Sequence, residues 1–225
     1  MLHKVVQLGG KSYFWLEKTN VVSMIQEYQI SGFRVREYEE LESTNTEAER
    51  VGWSELEDKM VILTYRQTQG RGQVGNHWES EPGKNISMTV VFKPRELPAG
   101  QQFAVSMVIA LGACDFISRY VNGCSVKWPN DIYVGDRKIS GILIEHSIMG
   151  RYVGGSLCGI GVNINQEQFL SDAPNPVSLF QLLGRELPLQ EVLEELLECI
   201  GKRYEQIHRY AELENDFLRH MYRST

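Results

Sequence analysis

Three glycines and an arginine fall within six residues, Gly70-Arg71-Gly72-Gln73-Val74-Gly75, between two apolar runs, Met60 to Leu63 and Ile86 to Phe92. Each run reads as a buried strand, so the stretch predicts a strand, a cationic glycine loop and a return strand. Closely spaced glycines let backbone N–H groups approach a ligand and curl into an anion-binding nest. Arg71 adds a forked cation suited to a carboxylate or a phosphate. Taken alone, the loop fits equally well a β-hairpin whose glycines serve only the turn. The same residues spell Gly-x-Gly-x-x-Gly, the dinucleotide fingerprint, which requires a helix opening inside the glycine run. Pro82, Gly83 and a strand follow instead, which argues against a Rossmann site.

A chain of 225 residues makes one large domain, or one domain with a small appendage. The net charge of −6 argues against DNA as a partner, since nucleic-acid binding needs a basic face. No apolar run approaches the ~20 residues of a membrane span and no signal peptide opens the chain, so a cytoplasmic protein with no membrane partner is expected. Cys114, Cys124, Cys158 and Cys199 are widely spaced and read as small hydrophobes rather than zinc ligands. The five histidines form no His-x-His or His-Glu-x-x-His group, so no metal site built from protein side chains is expected. Only His77 lies near the glycine loop.

In chain order, residues 3–8 and 12–17 predict a β pair around Gly9-Gly10-Lys11. Thr19 and Asn20 are candidate caps for a helix carrying Val22, Ile25 and Tyr28 and ending at Gly32. Phe33 to Tyr38 alternates like a strand. Thr44 and Glu47 have the spacing of a capping box, predicting a helix to about Leu56; alternatively Ser43, Thr44 and Asn45 offer hydroxyl and amide groups to a polar ligand. Pro98 to Val121 is the expected principal core helix. Pro129 disfavours helix, which puts Lys127 at the end of a short strand entering a turn with Asn130 and Asp131. Gly141, Gly159 and Gly161 interrupt two adjacent strands and suggest a flat floor on which something lies. Helices near Ser178–Leu183 and from Leu189 to about Tyr210 follow, and a last short helix carries Phe217 and Tyr222.

Four stretches, in order, go further than these local readings. They are Glu42-Ser43-Thr44-Asn45; Gln67 through the glycine loop to Trp78; Lys127-Trp128-Pro129-Asn130-Asp131 with Lys138-Ile139-Ser140-Gly141-Ile142-Leu143; and Gly159-Ile160-Gly161-Val162-Asn163-Ile164-Asn165. Together they resemble the catalytic domain of a biotin–protein ligase over roughly residues 40–222, with residues 1–38 as a β/α lead-in. The resemblance implies an α/β (α+β) fold, a mixed β-sheet flanked by helices, shared with lipoate ligases. It implies ATP and Mg²⁺ as cofactors, biotin as substrate, and a biotin carboxyl carrier protein or domain as partner; a homodimeric state is left open.

By the same resemblance, Ser43, Thr44, Asn45, Gln67, Gly72, Gln73, Trp78 and Gly141 are expected to hold biotin. Arg71 and Lys127 are expected to act on both the biotin carboxylate and the α-phosphate, as the catalytic cations. Gly70, Gly72, Gly75, Asn76, Asn130 and Asn163 are expected around the nucleotide. Asp131 is the candidate base for the carrier lysine. The chain departs from many members in carrying Gln73 and Asn76 where they carry arginine, which is expected to loosen the grip on the intermediate. Neither the N-terminal winged helix nor the SH3-like C-terminal module of some members is evident, so repressor activity is not expected. A lipoate–protein ligase, or a module that only binds biotin or a carrier domain, remain the alternatives.

Overall fold

The computed structural model describes residues 5–8, 11–14, 23–73, 76–171 and 174–222. Its frame is a mixed sheet of eight strands, ordered β3-β4-β5-β8-β12-β11-β10-β9. These are β3 (Met24–Ile30), β4 (Phe33–Tyr38), β5 (Met60–Thr64), β8 (Ile86–Phe92), β9 (Cys124–Lys127), β10 (Asp131–Val134), β11 (Arg137–Met149) and β12 (Tyr152–Val162). Only the β4–β5 pair is parallel. Two small antiparallel pairs complete the strands: β1 (Val5–Leu8) with β2 (Lys11–Phe14), and β6 (Gly70–Arg71) with β7 (His77–Trp78). The remainder of the predicted N-terminal β pair, and residues 19–22, lie outside the described residues.

The central strands read as continuous apolar runs because both faces are covered. Met60, Ile62 and Val91 face the helix α1 (Thr44–Val51) with Leu157 and Ala48. Val61, Leu63, Val90 and Phe92 face the larger core, under α2 (Phe103–Ile117) and α4 (Leu189–Tyr204). Two shorter helices, α3 (Leu179–Leu183) and α5 (Tyr210–His220), precede and follow α4. With the 3₁₀ turn before it, α2 forms a helical stretch from Ala99 to Ile117 that is long and apolar enough to cross a membrane, although no such run was expected. It packs against α4, α5 and the sheet as the core helix.

Five sequence expectations are corrected. The helix predicted to end at Gly32 is instead strand β3: Ser31 (φ 50°) and Gly32 (φ 79°) form a tight hairpin turn into β4. Gly32 thus supplies the left-handed geometry of a two-residue hairpin, not a helix end. The Thr44/Glu47 capping box does not form. Ser43 is the N-cap without a side-chain bond, and Gln67 Oε1 accepts the Thr44 amide at 2.9 Å in its place. Glu47 pairs with Arg50 on its own helix, which ends at Val51 rather than Leu56. The helix from Leu189 stops at Tyr204, and Tyr222 lies beyond α5.

Candidate active site

Strand register builds the floor of the site. Thr64, Ser87, Gly161, Gly141, Asp131 and Lys127 are successive partners across six strands, so they project from one face in a single row. The next row on that face runs Ile62, Thr89, Gly159 and Leu143, and the third Met60, Val91, Leu157 and Glu145. Gly161, Gly141 and Gly159 therefore open a contiguous bare area at the centre of the sheet.

Two side chains fill part of that opening. A Cβ on Gly159 would collide with Asn45 Oδ1, and one on Gly161 would collide with the Trp78 indole. A Cβ on Gly141 would come within 2.9 Å of the same indole. These glycines serve close approach by other side chains, as the floor reading expected in outline. Asn45 is fixed on all sides: its Nδ2 donates to Glu145 Oε2 at 2.8 Å, and the Thr89 hydroxyl donates to its Oδ1 at 2.6 Å. Trp78 Nε1 is buried without a hydrogen-bond partner, and so is Ser87 Oγ in the same row as Gly161. Unpaired buried polar atoms are rare in folded proteins, and here two adjoin the glycine floor.

Over the floor stands the β6–β7 hairpin. It is held beside the start of α1 because Thr68 N and Gln69 N donate to Leu41 O and Glu42 O at 2.9 and 2.8 Å. Neither Gly70 nor Gly72 has positive φ. What they supply is space: a Cβ on Gly70 would come within 2.7 Å of Gln67 Nε2, and Gly72 N donates to Asn76 O at 3.0 Å. On the far side, the Trp128–Asp131 turn joins β9 to β10. Asn130 locks this turn to β11 through a side-chain bond to Ile142 O, and Ile142 N returns one to Asn130 O at 3.1 Å. Trp128 leans on Phe103 at 5.1 Å between ring centroids.

Floor, hairpin, helix start and turn enclose a cavity of about 270 Å³. The structure brings together around it Ser43, Thr44, Asn45, Gln67, Arg71, Gly72, Gln73, Asn76, Trp78, Asn130 and Gly141. Gly70 sits at the base of the hairpin and Gly75 lies outside the described residues. Asn163 is buried beyond the end of β12, donating from Nδ2 to Val177 O at 3.1 Å, and does not line the cavity. Asp131 and Lys138 line it as an ion pair, 2.8 Å apart, which sequence reasoning did not assign. The signal was available: Lys138 lies three residues before Gly141, at the edge of the floor.

The two expected cations are placed differently. Arg71 lines the cavity, its guanidinium held by Glu49 at 2.9 Å and Glu145 at 2.7 Å. Lys127 belongs to the floor row but not to the cavity wall. Its ammonium lies 3.3 Å from the Tyr133 hydroxyl, over the Tyr133 ring at 4.8 Å and the Tyr222 ring at 5.9 Å. The Tyr133 hydroxyl beside it holds its pKa above the ordinary lysine value. Among the described residues no group of three or more His, Cys, Asp or Glu is arranged to hold a metal ion.

A mixed sheet with a glycine-opened floor, capped by the Arg71 hairpin and a polar helix start, encloses this cavity on an α+β fold. Residues 38–163 match the model of the Biotin/lipoate A/B protein ligase family, and the chain belongs to that family. It is 31% identical over 180 residues to the biotin–[acetyl-CoA-carboxylase] ligase of Paracoccus denitrificans, covering 76% of this chain and 72% of that one. It is 26% identical over 182 residues to the bifunctional ligase/repressor BirA of Bacillus subtilis, covering 78% of this chain and 55% of BirA. The chain thus spans about half the length of the BirA proteins it matches. Its fold is that of the biotin protein ligase from Aquifex aeolicus solved with biotin and ATP, at a TM-score of 0.70 and 24% identity, covering 83% of this chain and 78% of that one.

Proposed function

We propose that the chain is a biotin–protein ligase. A carboxylate oxygen of biotin attacks the α-phosphate of ATP, displacing pyrophosphate and giving biotinyl-5′-AMP. The amine of a carrier lysine then attacks the acyl carbon, forms the amide and expels AMP. One observation carries the reading: Ser43-Thr44-Asn45, the hairpin with Arg71 and Trp78, and the Trp128–Asp131 turn, far apart in sequence, line one cavity over Gly141, Gly159 and Gly161. The Trp128–Asp131 turn and the relatives named as biotin ligases favour biotin over lipoate.

In this reading Asn45, Ser43 and Gln67 orient the polar ring, and the Trp78 indole, lying on Gly141 and Gly161, forms part of the surface against which the ligand rests. Bringing a carboxylate to a polyphosphate requires positive charge fixed in advance where the two anions meet. Arg71 stands in the wall. Lys127 shares a row with Gly141, two strand spacings or about 10 Å away, and its flexible stem lets the ammonium leave Tyr133 for the cavity. Mg²⁺ is proposed to enter on the ATP phosphates, where it neutralises charge. The Asp131 carboxylate is engaged by Lys138, so the base for the carrier lysine is not assigned to it.

The reading is tested by the intact mass of a biotin carboxyl carrier domain incubated with this protein, ATP, Mg²⁺, biotin and lipoate together. A biotin adduct alone is expected. A lipoate adduct would transfer the assignment to the sister activity, and no adduct with no pyrophosphate release would leave a binding module.

A further inference from the structure

Arg71, Lys138 and Lys127 stand at or beside the cavity, and they are held by different means. Glu49 and Glu145 hold Arg71, and Asp131 holds Lys138. Lys127 makes no ion pair among the described residues, although Asp131 is its cross-strand partner in the ladder. Its ammonium turns the other way, to the Tyr133 hydroxyl and over the rings of Tyr133 and Tyr222. Both rings are fixed. Tyr133 is buried on β10, diagonal to Lys127 on the same face. Tyr222 is anchored at both ends. Its amide donates to Val126 O at 2.8 Å on the outer edge of β9, and its hydroxyl donates to Asp136 at 2.8 Å in the turn between β10 and β11. The two rings meet at 5.4 Å between centroids.

A carboxylate would hold Lys127 by cancelling its charge. An aromatic face holds a cation through the ring quadrupole and leaves the charge available. We infer that Tyr133 and Tyr222 are positioning residues for Lys127: they keep its ammonium off Asp131 and beside the cavity, from where an incoming carboxylate or phosphate draws it in. The flexible stem of a lysine permits that short move. The inference rests on the reading of Lys127 as a cation of adenylate formation. It gives the segment after α5 a part in that step, through Tyr222.

Three variants separate the contacts. Tyr222→Ala removes one ring, Tyr222→Phe keeps that ring and loses only its bond to Asp136, and Tyr133→Phe removes the hydroxyl that accepts from Lys127. Without ligand, limited acetylation read by peptide mass is expected to modify Lys127 about two- to five-fold faster in Tyr222→Ala than in wild type, the range of an exposed cation–π contact. Exposed Lys202 serves as the internal reference. Tyr133→Phe is expected to shift in the same direction, and Tyr222→Phe to stay at the wild-type rate. In a single turnover at saturating biotin and ATP, Tyr222→Ala is expected to form adenylate more slowly by a similar factor. Tyr222→Phe restores the rate, and biotin affinity by calorimetry stays unchanged throughout. Unchanged acetylation of Lys127 in Tyr222→Ala and Tyr133→Phe, or unchanged adenylate formation in Tyr222→Ala, overturns the inference. Should Tyr222→Ala not fold, Tyr133→Phe carries both measurements. If wild type forms no adenylate, the ligase reading falls, and the acetylation comparison still decides whether the tyrosines hold Lys127.

Discussion

The floor of the cavity and the hairpin above it are built by opposite means. On the floor, Gly141, Gly159 and Gly161 are fixed by ladder register in the middle of an eight-stranded sheet, with Asn45 pinned between Thr89 and Glu145. The hairpin has two residues in each strand and is held by the backbone bonds of Thr68 and Gln69, by the Trp78 indole on the floor and by the two partly exposed ion pairs of Arg71. Shape therefore comes from ladder register and charge from a side chain held by ion pairs. Under the proposed function, that division suits a site that recognises one ring system, yet admits two anions.

The sharpest way to break this comparison is to fill the floor. Gly161→Val puts a side chain where the Trp78 indole lies. It should cost ligand activation on the order of 100-fold, the scale of a 1 Å misplacement. The thermal midpoint should fall too, because a side chain at Gly161 over-packs the floor against the Trp78 indole, by about 1–3 kcal/mol of stability. Biotin binding that survived unchanged would mean that the floor is not the ligand surface.

The two cations should cost as much or more, and should fail differently. Lys127→Ala should lower adenylate formation by about 10²–10³, the cost of one lost electrostatic donor, while biotin still binds. Arg71→Ala should weaken biotin and ATP together. Unchanged pyrophosphate release by Lys127→Ala would remove that residue from the mechanism. Loss of only one ligand in Arg71→Ala would end the shared-charge account.

Much of this was legible in the sequence, and the misses have physical causes. The apolar runs of β5 and β8, the strand glycines and the proline turn are local signals, and each marks a buried or close-packed position. The capping box failed because Gln67, more than twenty residues away, takes the amide that a local side chain would have capped. The N-terminal helix failed because Val22, Ile25 and Tyr28 have helical spacing while Met24, Tyr28 and Ile30 fall on the period of two that β3 follows, and Ser31-Gly32 is a turn that also looks like a helix end. The pairing of Arg71 with Glu49 and Glu145, and the resting place of Lys127 on Tyr133 and Tyr222, depend on tertiary contacts with no spacing to announce them.

The smallest effect is a control away from the cavity. His146, half-buried on β11 with its Nδ1 2.8 Å from Ser156 Oγ, has its pKa pushed below 6.5 by burial. A neutral histidine is favoured in the folded state, so the unfolded chain takes up the proton first. The stability it contributes is complete above about pH 6.5 and is lost as the pH falls toward the depressed folded value. Thermal melts should decline less steeply from pH 7.5 to 5.5 in His146→Gln than in wild type, with biotin affinity at pH 7.5 unchanged. Equal slopes would dismiss that assignment.

Under the proposed function this chain, through the floor and the two cations, joins biotin to AMP. The direct test is a single-turnover reaction of the protein with biotin, ATP and Mg²⁺, quenched and read by mass spectrometry. Biotinyl-5′-AMP approaching one equivalent per protein, with matching pyrophosphate, is the predicted result. Biotin bound tightly with no adenylate formed would contradict it.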